Sequence, residues 1–239
     1  MVISADQLRT GRVAIVTGGS RGVGRETIRR LAGLGYAVVV NYVHDQRTAE
    51  ATVDAVLESR GAAVAIRADI SDALDVERLF GQTIETFGAV DAVVHAVRGH
   101  VVPHTLTEVA LDDFDEMCRT SLRATFIVNR MAAHQLSAGG AIVNLFGSVE
   151  AAAVPSYGGY ATITAAVDAL TRLLARELRE RDITVNAVSL EVDMACAPGR
   201  VADVVTYLLG DEGHSMTGHV IRLDGRPAPE LDQAQGQHR

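Results

Sequence analysis

Short runs of β-branched and small apolar residues alternate along the chain with stretches in which apolar residues recur every three or four positions. The first pattern predicts buried strands and the second predicts amphipathic helices. The clearest helical stripe comprises Ile163, Val167, Leu170, Leu174 and Leu178. The predicted strands are Val13–Thr17, Ala37–Asn41, Ala63–Ala68, Ala89–His95, Ala141–Phe146, Ile183–Ser189 and His219–Asp224.

This alternation predicts a doubly wound, Rossmann-type α/β domain. Right-handed crossovers between successive strands give a seven-stranded parallel sheet with helices on both faces. The chain has 239 residues, no internal repeat and no Pro/Gly-rich linker. We therefore expect a single domain over residues 1–226, followed by a polar tail over residues 227–239 with little fixed structure.

Composition and charge exclude several classes of protein. Cys118 and Cys196 have no CxxC spacing, so we expect neither disulfides nor a thiolate metal site, and a reducing, cytoplasmic setting. His100 and His104 have no carboxylate at metal-ligand spacing, so no metal site is expected. We expect no secretory signal, and no apolar run reaches the ~20 residues of a membrane span. The net charge of −8 is spread along the chain, which argues against a nucleic-acid-binding surface.

A glycine-rich run, TGGSRGVG at residues 17–24, follows the first predicted strand and opens the first helix. Its glycines permit a tight turn and let backbone N–H groups approach a pyrophosphate, whose charge is favoured at a helix N-terminus. We expect contacts with a dinucleotide from Gly18, Ser20, Arg21, Gly22, Val23 and Gly24.

The end of the second strand bears on which dinucleotide binds. NAD-preferring sites place a carboxylate there to hold the ribose 2′-hydroxyl, but this chain has Asn41 and Tyr42, with no carboxylate before Asp45. Arg21 has a planar fork suited to a 2′-phosphate, although it could also be a solvated loop charge. We therefore expect NADP(H), if a cofactor is bound, with Asn41 and Tyr42 beside it.

The same glycine run resembles the TGxxxGxG fingerprint of the short-chain dehydrogenase/reductase family, close to its β-ketoacyl carrier-protein reductase branch. The likeness covers about residues 10–226 and continues at Asp69-Ile70, Tyr160-Ala-Thr, residues 183–188 and residues 217–225. It implies a Rossmann fold and NADPH-dependent reduction of a carbonyl or enoyl group. It also implies that Asp69 and Ile70 flank the adenine.

The resemblance places the family's catalytic Tyr at Tyr160, because the residues that follow align without gaps. The family's Lys, which lowers the pKa of that Tyr, then falls on Thr164, whose hydroxyl carries no charge. The family's Ser falls thirteen residues before Tyr160, on Gly147, with Ser148 one place late. The family's Asn falls on Ser121. Three of the four catalytic positions therefore depart from the family's pattern.

The residues around the expected nicotinamide also depart from the pattern. Residues 95–98, His-Ala-Val-Arg, stand where relatives have Asn-Asn-Ala-Gly, so Arg98 replaces a glycine that lets the cofactor lie close to the backbone. Leu190-Glu191 replaces Pro-Gly, and the lid that follows is shorter by roughly twenty residues. Met194 therefore leads almost directly into a helix at Val201–Leu209. The residues expected around the adenosine half of the cofactor fit the family's pattern, and those expected around the nicotinamide do not.

Other residues could take over the acid–base work, each with a structural alternative. His95 titrates near neutral pH, but it could instead satisfy buried backbone groups. Tyr157 is a second phenol, with a spacing that resembles enoyl reductases. Glu191 and Asp193 lie near the nicotinamide position and are either functional carboxylates or solvated loop charges.

Three functions fit these residues. The first is an NADPH-dependent reductase of a small-molecule or carrier-bound substrate, with Tyr160 as proton donor. The second is a redox-neutral cyclase, dehydratase or isomerase that reuses the pocket. The third is a non-catalytic subunit that partners an active relative. Family members commonly form tetramers through two long helices, here Phe114–His134 and Thr162–Arg181, so a homodimer, a homotetramer or a hetero-oligomer with another family member is expected.

The phosphate role of the glycine run can be tested with Gly22→Asp. We expect this variant to lose NADPH binding, because it sets a carboxylate against the pyrophosphate. Calorimetric titration measures the affinity, and thermal unfolding checks that the variant is folded. A folded variant with unchanged NADPH affinity would contradict the assignment.

Overall fold

A seven-stranded parallel sheet organises the residues that the computed structural model describes, which are 11–96, 99, 101–148, 156–191 and 197–223. The strand order is β3-β2-β1-β4-β5-β6-β7, so the chain reverses its direction of travel between β1 and β4. The strands are β1 (Val13–Thr17), β2 (Ala37–Tyr42), β3 (Ala62–Arg67), β4 (Ala92–His95), β5 (Ala141–Ser148), β6 (Thr184–Glu191) and β7 (Val220–Leu223). The fold class predicted from the sequence is confirmed.

Helices cover both faces of this sheet. The α-helices are α1 (Gly22–Gly33), α2 (Gln46–Glu58), α3 (Ala73–Phe87), α4 (Leu111–Met117), α5 (Ala124–Gln135), α6 (Gly158–Glu177) and α7 (Pro198–Leu209), with short 3-10 turns at Arg179–Arg181 and Asp211–Gly213. On one face α1 packs between α2 and α7, and on the other α5 packs between α3 and α6.

The alternation of side chains along the strands builds two cores. In β1, Ile15 packs into the core beneath α3, α5 and α6, whereas Ala14 and Val16 pack into the core beneath α1, α2 and α7. Both faces of the central strands are buried, which explains why these strands are almost continuously apolar in the sequence.

Most strand bounds follow the sequence pattern, and the exceptions have local causes. Strand β4 begins at Ala92, three residues after its predicted start. The carbonyl oxygen of Val90 accepts the N–H of Ser137 (3.0 Å), which lies outside the sheet. Strand β5 continues two residues beyond its predicted end, to Ser148. Helix α7 begins three residues early, at Pro198, which suits the first turn of a helix. The tail predicted over residues 227–239 lies outside the described residues.

The helix predicted over Phe114–His134 contains an irregular turn. Helix α4 ends at Met117, and α5 begins at Ala124. Residues Cys118–Arg123 between them form a π-helical segment, which we call the π turn. Such turns often occur at functional sites, and this one carries Ser121.

Candidate functional site

The carboxyl ends of β1, β4, β5 and β6 open into a cavity of about 430 Å³. In a doubly wound sheet, ligands bind at the point where the strand order reverses, which here is between β1 and β4. The cavity is lined by Gly18, Ser20, Arg21, Val23, Gly24, Ala96, Leu145, Phe146, Gly147 and Leu190. Five of the six loop residues predicted to touch a cofactor therefore share one wall.

The glycines between β1 and α1 meet different steric demands. Gly18 and Gly22 have φ of 64° and 54°, a conformation that few other residues adopt without strain. A Cβ on Gly24 would lie 2.3 Å from the carbonyl oxygen of Gly18, so this helix position must be glycine for the turn to close. A Cβ on Gly22 would meet nothing within 4 Å, and Gly22 borders a second cavity of about 510 Å³ between α1 and α2, not the cavity at the strand ends.

The N-terminus of α1 has the properties of an anion site. Its N-cap residue, Arg21, makes no capping hydrogen bond through its side chain, and the first turn contains no acidic residue. The first N–H groups of the helix and the positive end of its dipole are therefore not neutralised by its own cap or first turn. This arrangement fits the pyrophosphate of a dinucleotide.

Arg21 forms an ion pair that the sequence analysis missed. Its guanidinium lies 3.2 Å from a carboxylate oxygen of Asp45. Asp45 also caps α2, where it accepts hydrogen bonds from the hydroxyl of Thr48 (2.6 Å) and from its N–H (3.0 Å). These bonds, and to a smaller degree Arg21, lower the pKa of Asp45. An Asp just before a helical pattern is the sequence signal that could have revealed this cap.

Asn41 and Tyr42 at the end of β2 do not line the cavity, and Asn41 instead bonds the glycine loop. The Asn41 side chain is buried, and its Nδ2 donates to the carbonyl oxygen of Ala68 (3.0 Å). The Asn41 carbonyl accepts the N–H of Gly19 (3.3 Å), which ties the loop to β2. Tyr42 packs at the edge of the core beneath α1 and α2. Neither residue is on the cavity wall.

Asp69 and Ile70 follow β3, where the resemblance predicts the adenine. The Asp69 carboxylate is half-exposed and accepts the N–H (2.9 Å) and the hydroxyl (2.8 Å) of Ser71. Arg119 of the π turn lies 4.0 Å from its other oxygen. The side chain of Ile70 is buried in the core. A contact of Ile70 with a nucleotide would therefore use its backbone.

Tyr160 lies in the first turn of α6, and its side chain is only 3% exposed. The ring packs with Met117 and Ile163. Its hydroxyl oxygen accepts the backbone N–H of Gly147 at 3.2 Å. Gly147 lines the cavity, whereas Tyr160 does not. The phenol therefore lies behind the cavity wall, bonded to the residue at which the resemblance places the family's Ser.

Thr164 lies one turn after Tyr160 and is also buried. Its hydroxyl donates to the carbonyl oxygen of Ala161 (3.0 Å), within the same helix. The group that occupies the family's Lys position is therefore uncharged and already engaged by its own helix.

Ser148 is the last residue of β5, and in the sheet register it lies opposite Glu191 of β6. The side chains of these two residues lie outside the described part of the structure. The register keeps Gly147 opposite Leu190, and Gly147 is the residue that meets Tyr160. The replacement of the family's catalytic Ser by Ser148 therefore stays a prediction.

Ser121 lies in the π turn with its hydroxyl oxygen buried and without a hydrogen-bond partner among the described residues. The residue beside it, Gly99, was not anticipated. A Cβ on Gly99 would lie 2.0 Å from the Ser121 Oγ, so only glycine leaves room for this hydroxyl. Val97 and Arg98, the other residues of this segment, lie outside the described residues.

His95, at the end of β4, is 2% exposed. Its Nδ1 lies 3.0 Å from the hydroxyl of Thr17, and its Nε2 lies 3.0 Å from the hydroxyl of Thr125. Burial lowers the pKa of His95 to about 4, so the ring is neutral at physiological pH. Because both nitrogens are engaged within the protein, the geometry favours the structural role of His95 over the acid–base role.

The remaining candidates lie apart from the cavity or outside the described residues. Tyr157 is half-buried near Tyr160, and its backbone forms an isolated parallel bridge with His104. His100 and Asp193 fall outside the described part of the chain. Where side chains are described, no three of His, Cys, Asp or Glu gather closely enough to hold a metal ion.

Comparison with known proteins identifies the family. A family model described as enoyl-(acyl carrier protein) reductase matches residues 18–192. A short-chain type dehydrogenase/reductase of Picea abies is 32% identical over 90% of this chain and 92% of its own length. A 3-oxoacyl-[acyl-carrier-protein] reductase of Staphylococcus aureus is 34% identical over 86% of this chain and 80% of its own.

Solved structures agree with these sequence matches. A dehydrogenase/reductase from Sinorhizobium meliloti superposes with a TM-score of 0.83 at 34% identity, covering 92% of this chain and 97% of the other. A short chain dehydrogenase from Burkholderia cenocepacia, in complex with NADP, gives 0.80 at 33% identity, covering 92% and 98%. The chain therefore belongs to the short-chain dehydrogenase/reductase family. None of the helices in the described ranges is both long and apolar enough to cross a bilayer.

The burial of His95 predicts that the fold loses stability in acid. The pKa is about 4 in the folded state against an ordinary 6.5, so the unfolded state binds a proton first as the pH falls below 6.5. This group should lower the free energy of unfolding progressively between pH 6.5 and pH 4, by up to about 3 kcal/mol.

Urea unfolding of the wild type and of His95→Gln at several pH values isolates this contribution. The variant lacks the titrating ring, so the difference in stability between the two proteins should shrink as the pH falls. A difference that stays constant from about pH 7 to about pH 4 would contradict the assignment.

Proposed function

We propose that this protein is an NADPH-dependent reductase of a carbonyl or enoyl group, with an altered catalytic apparatus. One observation carries the proposal: the cavity lined by the glycine loop extends to Gly147, whose N–H bonds the hydroxyl of the buried Tyr160. The family membership and the names of relatives support it. The neighbour from Burkholderia cenocepacia is in complex with NADP, and another, a blue fluorescent protein from a metagenomic library, is in complex with NADPH.

The dinucleotide would be held mainly by main-chain groups. The N–H groups at the start of α1 would bind the pyrophosphate. Asp69 and the backbone of Ile70 would border the adenine. When bound, the reduced nicotinamide supplies a hydride to the substrate.

Arg21 would bind the 2′-phosphate that distinguishes NADPH from NADH. Its ion pair with Asp45 is largely exposed to solvent, and exposed ion pairs contribute little to stability. A phosphate can therefore replace or share the Asp45 carboxylate as the partner of this guanidinium. The bonds from Thr48 hold the Asp45 carboxylate in place without help from Arg21. The Arg21 guanidinium therefore lies beside Asp45, at the start of α2, before any ligand binds.

Tyr160 would donate the proton that completes reduction. In place of a lysine charge, the backbone N–H of Gly147 would stabilise the negative charge left on the phenol oxygen. A neutral backbone N–H is a weaker aid than an ammonium group. We therefore propose a slower enzyme whose rate depends mainly on holding the two reactants together.

A non-catalytic, nucleotide-binding subunit is the second candidate. The observation that favours it is the burial of Tyr160 together with the self-contained hydrogen bond of Thr164. Phe126 of α5 and Leu173 of α6 are 52% and 58% exposed. Such exposed apolar residues suit the pairing through helices that we expect, either between two copies of this protein or with a relative.

Turnover by Tyr160→Phe separates these functions. With carbonyl and enoyl substrates, we expect this variant to oxidise NADPH about 100-fold or more slowly than the wild type, at unchanged NADPH affinity, because it lacks the donated proton. Tyr157→Phe is the matched control and should retain its rate.

Loss of rate in Tyr157→Phe alone would move the catalytic role to Tyr157. A wild-type protein that binds NADPH but oxidises none of it with any substrate would favour the non-catalytic subunit. Substrate conversion without NADPH oxidation would instead indicate a redox-neutral enzyme.

A further inference from the structure

A buried chain of hydrogen bonds connects the start of the phosphate loop to the π turn. It runs from the Thr17 hydroxyl at the end of β1 to His95 of β4 (3.0 Å), then to the Thr125 hydroxyl of α5 (3.0 Å). From there the Thr125 hydroxyl reaches the backbone carbonyl of Ser121 in the π turn (2.7 Å). The side chains of Thr17, His95 and Thr125 are all at most 4% exposed, so water cannot substitute for these bonds.

The hydroxyl hydrogens available in this series of hydrogen bonds allow one tautomer of His95. The Thr125 hydroxyl has a single hydrogen, and it donates that hydrogen to the Ser121 carbonyl. It must therefore accept from His95, which places the ring proton on Nε2. The unprotonated Nδ1 then accepts from the Thr17 hydroxyl, whose oxygen in turn accepts the N–H of Ala96 (3.2 Å).

The other tautomer leaves the Thr17 hydroxyl hydrogen unpaired. A proton on Nδ1 would make Thr17 the acceptor, and the hydrogen of its own hydroxyl would lose this partner. Thr125 would then have to donate to Nε2 and give up its bond to the Ser121 carbonyl, which would keep only the backbone N–H that it accepts at the end of the π turn. An unpaired buried hydroxyl is costly, so the Nε2–H form is favoured.

An independent contact joins the same two regions. Beyond β4, the backbone at Gly99 lies so close to the π turn that a Cβ there would be 2.0 Å from the Ser121 Oγ and 3.0 Å from its backbone nitrogen. The end of β4 and the segment after it are therefore connected to the π turn by two routes, indirectly from His95 through Thr125 and directly at Gly99.

We infer that His95 is a positioning residue. As its Nε2–H tautomer it fixes the π turn, and with it Ser121, relative to the end of β1 where the phosphate loop begins. A threonine hydroxyl also bonds the carbonyl four residues earlier in regular helices of this protein, as Thr83 and Thr162 do. Thr125 differs from them because His95 holds the same hydroxyl from the neighbouring strand. The relevance of Ser121 to turnover rests on the proposed function, whereas its position does not.

Nitrogen NMR of the full-length protein, labelled with ¹⁵N at its histidines, reads the tautomer directly. We expect the His95 signals at neutral pH to show a protonated Nε2 and an unprotonated, hydrogen-bonded Nδ1. Comparison with the spectrum of His95→Gln identifies the signals. A ring protonated on Nδ1, or one that averages between both tautomers, would overturn the inference.

A matched pair of variants tests the link to the π turn. Thr125→Val removes the hydroxyl and keeps the shape, whereas Thr125→Ser keeps the hydroxyl. We expect the backbone amides of residues 118–125 to exchange with solvent about 10-fold faster or more in the Val variant, and at the wild-type rate in the Ser variant. Equal protection in all three proteins would overturn the inference. Should the Val variant not fold, the histidine spectrum still decides.

The histidine spectrum and the amide exchange, read together with NADPH titration and turnover, distinguish this inference from the proposed function. A protein with the Nε2–H tautomer and the Thr125 exchange pattern that fails to bind NADPH would contradict the reductase proposal and support the positioning role. A protein that binds and oxidises NADPH but has the opposite tautomer would support the reductase and overturn the role of His95.

Discussion

Burial of the central strands on both faces is the constraint on which this structure depends. Strands β1, β4 and β5 lie between two layers of helices, so every polar group among them must find its partner inside the protein. The pairing of Asn144 in β5 with Asn129 in α5 is one solution, with two reciprocal amide bonds of 2.8 and 3.0 Å. The bonds of His95 to two threonines are another. Polar side chains deep in this sheet therefore fix the helices to the strand ends where the cavity opens.

The same constraint explains why the two halves of the site differ in character. The phosphate half is made of backbone, and its requirements are steric: positive φ at Gly18 and Gly22 and no Cβ at Gly24. The predicted reacting half depends on side-chain chemistry, and the resemblance places the departures from the family's pattern there. Tyr160 is bonded to a main-chain N–H, and Thr164 to its own helix. A chain can thus keep the geometry of a dinucleotide site while the groups beside the nicotinamide position change.

The sequence predicted the features that follow from periodicity and from glycine chemistry. Parallel strands buried on both faces are almost continuously apolar, so their number and approximate bounds could be inferred, and a glycine run between a strand and a helix indicated the phosphate loop. The interactions that define the candidate site could not be inferred. The Arg21–Asp45 pair, the contact of Gly99 with Ser121, and the bond between Tyr160 and Gly147 each join residues that the fold brings together from at least 13 positions apart. The π turn likewise has no signature in the helical periodicity.

The central claim is that the glycine loop and Arg21 still form a working site for a phosphorylated dinucleotide. Calorimetric titration of the purified, nucleotide-free protein with NADPH, and in parallel with NADH, tests it most directly. The account predicts micromolar binding of NADPH and weaker binding of NADH, since only NADPH offers Arg21 a 2′-phosphate. Failure of both nucleotides to bind would mean that the loop persists only as a structural turn, and would contradict the account.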